Sequence, residues 1–299
     1  MIIPDFITNT FVNDLINRGL KEDVGTGDVT TLATVDAGTM ATAVFTVRQD
    51  GVVAGLWMAD RVFETVEAAL HTSWHVDEGA YLVAGSRVGK VKGPARGLLT
   101  SERLALNIMQ RMSGIASATR KMTELAASYG TKILDTRKTA PGLRALDKWA
   151  VQIGGGENHR LGLFDMILIK DNHIKAAGGI EAAVAAARRF CMEDGRQMKL
   201  EIEVRSLEEL ELVLGLEGVD VILLDNMAHI TDDGVDVSVL RKAVEMVGGR
   251  VPTEASGNIT LDTVGPIAST GVTFISSGAL THSVTALDIG LDIELEGTD

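Results

Sequence analysis

The chain has 299 residues, 45% apolar and 23% charged, the balance of a globular protein with length for one large or two ordinary domains. A net charge of −13 and only 4% aromatic residues leave neither a basic footprint nor stacking platforms, which argues against nucleic-acid binding. The single cysteine, Cys191, excludes an internal disulfide framework and a cysteine-rich zinc site.

The first residues, Met1 to Asp5, carry no basic stretch and no long apolar run, so no signal peptide is visible and the cytoplasm is the expected compartment. No run approaches the ~18 apolar residues that span a membrane. Residues 9–22 have apolar Phe11, Val12, Leu15, Ile16 and Leu20 at helical spacing. The glycines and threonines of Glu22 to Thr31 read as a loop whose acids cap or turn. Residues 39–93 read as a small α+β domain. A strand over 39–48 places Ala41, Ala43, Phe45 and Val47 on one face, a helix covers 59–70, and further strands cover 72–76 and 81–92. A long helix over 101–129 has Leu104, Ile108, Met112, Ile115, Met122 and Leu125 as its buried stripe and Ser101 as its N-cap, with Gly114 a weak point or seam.

From residue 131 the pattern becomes strand, loop, helix, repeated. Strands are expected over 131–135, 165–170, 198–204, 219–225, 250–255 and 272–276, and helices over 142–153, 178–194, 206–216, 235–248 and 260–270. Such alternation means a parallel sheet, either an incomplete barrel or an open doubly wound sheet. No Gly-x-Gly-x-x-Gly follows a strand, which lowers the dinucleotide-binding version. A barrel gathers its chemistry at the C-terminal ends of its strands. Here those ends read Asp135-Thr136-Arg137-Lys138, Lys170-Asp171-Asn172, Glu201-Ile202-Glu203, Asp225-Asn226, Glu254 to Asn258, and Ser276-Ser277-Gly278. Between residues 131 and 175 there are eight Lys/Arg against five Asp/Glu, a basic island in an acidic chain that concentrates anions.

The residue types divide the work. Arg137, Lys138, His159, Arg160 and Lys170 suit carboxylates or phosphates. Glu203 and Asp225 are hard oxygen donors for a Mg²⁺ that carries substrate phosphates. Ser256-Gly257-Asn258 precedes a helix, and Gly278 opens a second nest, so backbone N–H groups there can cradle a phosphate. One of Glu201 and Glu203, on the same strand face, is expected to meet Lys138 or Lys170. Lys170 also reads as a Schiff-base lysine of a barrel lyase, and His173 as an ordinary hydrogen-bonded residue. An anion-binding protein without turnover is the reading outside enzymology.

Seven runs carry a resemblance: Glu22–Thr31 (EDVGTGDVTT), Ser101–Asn107 (SERLALN), Asp135–Arg144 (DTRKTAPGLR), Gly154–Arg160 (GGGENHR), Ile169–His173 (IKDNH), Leu223–Asn226 (LLDN) and Glu254–Gly257 (EASG). The chain resembles, along nearly its whole length, the quinolinate phosphoribosyltransferases, the carboxylating nicotinate-nucleotide pyrophosphorylases of NAD biosynthesis. The molybdenum-associated relatives share the motifs. The resemblance implies an α/β fold: an N-terminal open-faced α/β sandwich, residues 1–115 with 281–299 packing back on it, and an incomplete TIM-like barrel over 116–280. It implies transfer of phosphoribose from phosphoribosyl pyrophosphate to quinolinate with Mg²⁺, releasing CO₂ and pyrophosphate, with no covalent nucleophile. By matching position, Arg137, His159, Arg160 and Lys170 would bind the quinolinate carboxylates. Lys138 would approach the donor, and Glu203 and Asp225 would hold Mg²⁺ and the ribose. Ser256, Gly257, Asn258, Ser277 and Gly278 would surround the 5′-phosphate, with Asn258 standing where many relatives have a second glycine. The implied assembly is a homodimer, or a higher oligomer built from it, in which Arg103 reaches the neighbour's site.

Overall fold

The computed structural model describes residues 2–232 and 234–295. The elements run α1 Asn9–Asp23, α2 Val29–Thr34, β1 Met40–Val47, β2 Gly51–Val52, α3 Leu56–Val66, β3 His71–Trp74, β4 Tyr81–Leu82, β5 Arg87–Pro94 and α4 Ala95–Ala127. Then follow β6 Lys132–Leu134, α5 Arg144–Ile153, β7 Ile167–Ile169, α6 Asp171–Ala177, α7 Ile180–Asp194, β8 Leu200–Val204, α8 Leu207–Leu214 and β9 Val221–Asp225. The chain continues through β10 His229–Thr231, β11 Gly234–Asp236, α9 Ser238–Val247, β12 Thr253–Ser256, α10 Leu261–Ala268, β13 Phe274–Ser276, α11 Ala279–His282 and β14 Ile289–Leu295. Contacts divide it into two compact units, residues 1–120 with 140–155 and 284–299, and residues 121–139 with 156–283. Residues 296–299 of the C-terminal segment lie outside the described residues.

The first unit is built on an antiparallel sheet in the order β14-β1-β5-β3. β1 obeys the period of two: Ala41, Ala43, Phe45 and Val47 are fully buried while Thr42, Val44 and Thr46 are half-covered, so the sheet is open on one face. Phe45 packs edge-on against Phe63 of α3 and tilted against Trp74 of β3. β14 pairs with β1 from Ala41↔Leu295 to Val47↔Ile289.

Helix α4 corrects two sequence expectations. It begins at Ala95, six residues before Ser101, and Ser101 is a fully buried interior residue, not the N-cap. Its hydroxyl donates back to the Gly97 carbonyl at 2.7 Å, which lets a serine sit inside a helix without an unpaired polar group. Leu125 is exposed, off the buried stripe that Ile108, Met112, Ile115 and Met122 form. Gly114 is a close approach: a Cβ there would lie 2.2 Å from the Thr285 carbonyl oxygen, on the segment leading to β14. On the polar face, Arg111 makes a two-pronged pair with the fully buried Asp147 of α5, at 2.8 Å to each oxygen.

The second unit is a six-stranded parallel sheet in the order β6-β13-β12-β9-β8-β7. β6 and β7 are its two edge strands and do not pair with each other, so the sheet is the incomplete barrel that the strand–helix alternation foreshadows. All six expected strands form, five of them shorter by two or three residues, while β12 starts three residues later than expected and runs one residue further, and the expected helices become α5, α7, α8, α9 and α10. Every residue of β8 is buried, as a strand covered on both faces requires. The β10–β11 hairpin, α2, α6 and α11 were not expected. α6 starts because the His173 imidazole Nδ1 accepts the Lys170 backbone N–H at 2.9 Å, and it stops at Gly178, φ 90°. Among the described residues no helix is long and apolar enough to cross a membrane.

Candidate active site

The second unit gathers its polar residues where the strands end. Asp135, directly after β6, is fully buried. One carboxylate oxygen accepts the His159 backbone N–H at 2.9 Å and the other accepts the Asn158 side-chain amide at 2.6 Å. Glu157 joins β6 as a single parallel bridge to Leu134 and donates its N–H to the Ile133 carbonyl at 2.8 Å. The run from Glu157 to Arg160 is therefore pinned by backbone and by a buried acid, and it presents His159 and Arg160 from fixed positions.

Both ring nitrogens of His159 are engaged inside the protein. Nδ1 accepts the Arg160 backbone N–H at 2.8 Å, so the proton lies on Nε2, which faces Glu201 Oε2 at 2.8 Å and Glu254 Oε2 at 3.5 Å. His159, Glu201 and Glu254 have the spacing of a metal-ligand group. The tautomer argues for a hydrogen-bonded chain instead, since a protonated Nε2 has no lone pair to offer a cation. Burial, joined by the Glu201 charge, pushes the Glu254 carboxyl up to about 8. Burial likewise pushes Glu201 up to about 7, opposed by a hydrogen bond from Glu254 and by Lys170 and Arg160. Glu254 is the member that keeps its proton.

This makes a pH prediction. In the unfolded chain a glutamate releases its proton near pH 4.5, whereas folded Glu254 holds it to about 8. The folded state therefore binds more protons across that interval, and stability falls as pH rises through it. Melting temperature measured between pH 5 and 8.5 should fall with pH in the wild type and fall less steeply in Glu254→Gln. Equal slopes would contradict the buried-acid assignment.

Arg137 and Arg160 lie near enough for their charges to interact. Arg160 donates to the Met166 carbonyl at 3.2 Å, and burial, then the Arg137 charge, lowers its affinity for its proton. Arg137 Nε is buried with no hydrogen-bond partner. Two guanidinium groups held near one another with a buried donor unsatisfied is a costly arrangement that an anion relieves. Lys138 follows Arg137. Its backbone carbonyl accepts the Thr281 hydroxyl at 2.9 Å, and its side chain crosses Gly278, where a Cβ would lie 2.7 Å from Lys138 Cδ.

Near the ends of β7 and β8, Lys170 and Glu203 form a close ion pair. The expectation that one glutamate of this strand meets Lys138 or Lys170 holds for Glu203, while Glu201 turns to His159. An ammonium held by a buried carboxylate is a cation site and not a free amine, which weighs against the Schiff-base reading of Lys170. Arg205, the residue after β8, reaches Glu203 at 3.0 Å, Asp171 at 2.9 Å and Asp225 at 3.4 Å. Burial and then the Glu203 charge raise the Asp225 carboxyl above its ordinary range. Three carboxylates from neighbouring strand ends thus converge on one positive group, so the donor set fits a hard divalent cation such as Mg²⁺.

Ser256 ends β12 opposite Asp225 of β9. Asn226 closes the contact, donating its N–H to the Ser256 carbonyl at 2.9 Å and its side-chain amide to Asp225 at 2.8 Å. Gly257 is required here: φ is +105°, and a Cβ would lie 2.1 Å from Asn226 Oδ1. Asn258 follows with φ 52°, the left-handed region in which asparagine is the residue that best replaces glycine. Thr260 and Thr263 cap α10 reciprocally. Ser277 is buried, and its hydroxyl donates to the Ile259 carbonyl at 3.3 Å, tying β13 to this loop from behind.

The second unit therefore brings together Arg137, Lys138, His159, Arg160, Lys170, Glu203, Asp225, Ser256, Gly257, Asn258, Ser277 and Gly278, all at the strand ends of one sheet. Arg103 belongs to α4 of the first unit, exposed and 3.9 Å from Glu102. Sequence reading missed Arg205, which directly follows β8, and gave Asp171, read at a strand end, no role.

Fold and site define an enzyme of the phosphoribosyltransferase class, with an incomplete parallel barrel lined for anionic substrates. Comparison with known proteins makes this particular. The family model "Quinolinate phosphoribosyl transferase, N-terminal domain" matches residues 28–113, and "Quinolinate phosphoribosyl transferase, C-terminal domain" matches residues 115–292. The chloroplastic carboxylating nicotinate-nucleotide pyrophosphorylase of Oryza sativa is 50% identical over 94% of this chain and 77% of its own length. The mitochondrial decarboxylating quinolinate phosphoribosyltransferase 2b of Nicotiana tabacum is 47% identical over 95% and 83%. The crystal structure of NadC from Streptococcus pyogenes superposes with a TM-score of 0.89 at 36% identity, covering 97% of this chain and 98% of that one. The chain belongs to the quinolinate phosphoribosyltransferase family. The cytoplasmic compartment expected from the sequence is corrected by these relatives, which are named chloroplastic and mitochondrial.

Proposed function

We propose that this enzyme transfers phosphoribose from phosphoribosyl pyrophosphate to the ring nitrogen of quinolinate and decarboxylates the product to nicotinate mononucleotide, in NAD biosynthesis. The observation that supports it best is the charge interaction between Arg137 and Arg160, with the buried, unsatisfied Nε of Arg137. A pyridine dicarboxylate supplies two negative charges to two guanidinium groups; a monocarboxylate supplies one. In this reading His159 acts through Arg160, whose backbone it holds, and Lys170 adds a third cation at the edge of the site.

Lys138 approaches the donor, and the turn of Ser256, Gly257 and Asn258 with Gly278 cradles its 5′-phosphate. Glu203 and Asp225 would hold Mg²⁺, which when bound would neutralise the pyrophosphate as it leaves. As the C1–pyrophosphate bond breaks, positive charge grows on the ribose ring, and the Glu203 and Asp225 carboxylates would stabilise it. The pyridine nitrogen then bonds to C1, so no protein nucleophile is needed. The ring becomes cationic, the bond to the 2-carboxylate breaks with release of CO₂, and C2 takes up a proton.

Arg103 completes the site of a second copy in a homodimer. Arg103→Ala and Arg137→Ala should each be inactive alone. In a mixed dimer, one site keeps both arginines and the other loses both, because a two-fold assembly exchanges identical surfaces. Free exchange of equal amounts should restore about a quarter of wild-type activity. No recovery, with mixed dimers shown to form, would contradict the shared site.

A further inference from the structure

Arg205 is used by no step above, yet it pairs with three acids of the site. Its backbone N–H donates to Glu209 Oε2 at 2.7 Å, which anchors it at the start of α8. Each nitrogen of its guanidinium meets a different acid. One terminal nitrogen reaches Asp171 at 2.9 Å, the other reaches Glu203 at 3.0 Å, and Nε reaches Asp225 at 3.4 Å. Lys170 takes the second oxygen of Glu203. The carboxylates assigned to Mg²⁺ are therefore already neutralised by the chain's own cations. Glu203 is 4% exposed and Asp225 13%, so leaving them bare would be unfavourable, whereas Arg205 is half exposed and has solvent to move into.

We infer that Arg205 is the resident counter-ion of the metal-binding carboxylates. It holds Glu203 and Asp225 in place while the site is empty and must release them when the magnesium-bound donor arrives, with Asp171 retaining it. The inference rests on the proposed metal role of Glu203 and Asp225. A guanidinium and a divalent cation cannot both sit against those oxygens, since like charges at that distance repel strongly. Arg205 therefore competes with the metal, and the chain's affinity for the cation is weaker than its carboxylates alone would give. It differs from a merely structural ion pair in one respect: removing it should tighten metal binding while loosening the empty protein.

The test uses the full chain without substrates and Mn²⁺ as the spectroscopically visible cation, with free Mn²⁺ followed by electron paramagnetic resonance. Arg205→Gln should bind Mn²⁺ about tenfold more tightly than wild type, the scale set by three partly exposed ion pairs. It should also melt at a lower temperature without metal and recover the loss when Mn²⁺ is added. Arg205→Lys keeps the charge and loses the fork, so its affinity should fall between the two; it also serves if the glutamine variant fails to fold. Glu203→Gln should abolish binding in either background. Unchanged or weaker Mn²⁺ binding in Arg205→Gln, with binding still lost in Glu203→Gln, would overturn the inference alone. Binding that survives Glu203→Gln, or no binding by any variant at millimolar Mn²⁺, would overturn the metal assignment and the inference with it.

Discussion

Arg137→Ala should lose turnover with quinolinate while keeping its fold. Truncating one partner of a desolvated charge pair costs about 2–5 kcal/mol, so kcat/KM should drop roughly thirty-fold to several-thousand-fold. Part of the loss should appear in KM for quinolinate, because the interaction exists in the ground state, and little in KM for the phosphoribosyl donor. The stability change is the sharper signature. Arg137 Nε has no protein partner, and the Arg137 charge acts against Arg160. Removing it therefore breaks no known bond of Nε and relieves a repulsion, so the melting temperature should stay level or rise slightly. Full activity in this variant would remove the substrate assignment. A large drop in melting temperature would show that Arg137 holds the fold instead.

Glu203→Gln should also be nearly inactive, with the opposite effect on stability. The side chain is 4% exposed and pairs with both Lys170 and Arg205. Neutralising it removes a carboxylate from the cation site and leaves two cations short of a partner. Activity should fall about a hundredfold or more, the scale for losing one preorganised electrostatic group. Stability should fall by about 1–2 kcal/mol, discounted because both cations are partly solvated. The kinetic defect should concentrate in the donor and in the Mg²⁺ requirement, with quinolinate binding little changed. Retained activity at ordinary Mg²⁺ concentration would remove Glu203 from the mechanism. Arg137 and Glu203 thus separate the two halves of the site, one by quinolinate and a level melting temperature, the other by the donor and a lowered one.

Much of this was legible in the sequence because a barrel strand leaves a plain mark. Runs such as Val221 to Leu224 are apolar throughout, being covered on both faces, and the polar residue that ends each one marks the mouth. The same rule marks Lys170, Glu203, Asp225 and Ser256 as strand-end residues from sequence alone. β1 was legible because its alternation is strict, from Ala41 to Val47. Less could be read where tertiary contacts override a local signal. Ser101 looks like a helix start, and only its back-bond to Gly97 shows why it is not one. Gly114 looks like a weak point and is a contact surface for the chain near Thr285. α6 begins within what reads as a polar loop, because His173 caps it through its own side chain.

Within the site, residue types were legible and pairings were not. His159 read as an anion ligand, yet the tautomer fixed by the Arg160 N–H turns it toward Glu201 and Glu254. The role of Asp135, holding the backbone of His159 from 24 residues away, is a long-range hydrogen bond that no local pattern encodes. Ser277 read as part of a phosphate loop, and its hydroxyl faces the Ile259 carbonyl. Asn258 is the reverse case: a departure from the usual glycine that the backbone explains, since φ 52° suits asparagine.

The most direct test of the two-arginine reading is a product assay on the purified wild-type protein. Phosphoribosyl pyrophosphate and Mg²⁺ are supplied with either quinolinate or nicotinate, and CO₂ and mononucleotide are followed together. Two guanidinium groups arranged for a dicarboxylate should give CO₂ and nicotinate mononucleotide in equal amounts from quinolinate, and no product from nicotinate. Mononucleotide formed from nicotinate as readily, with no CO₂, would contradict it.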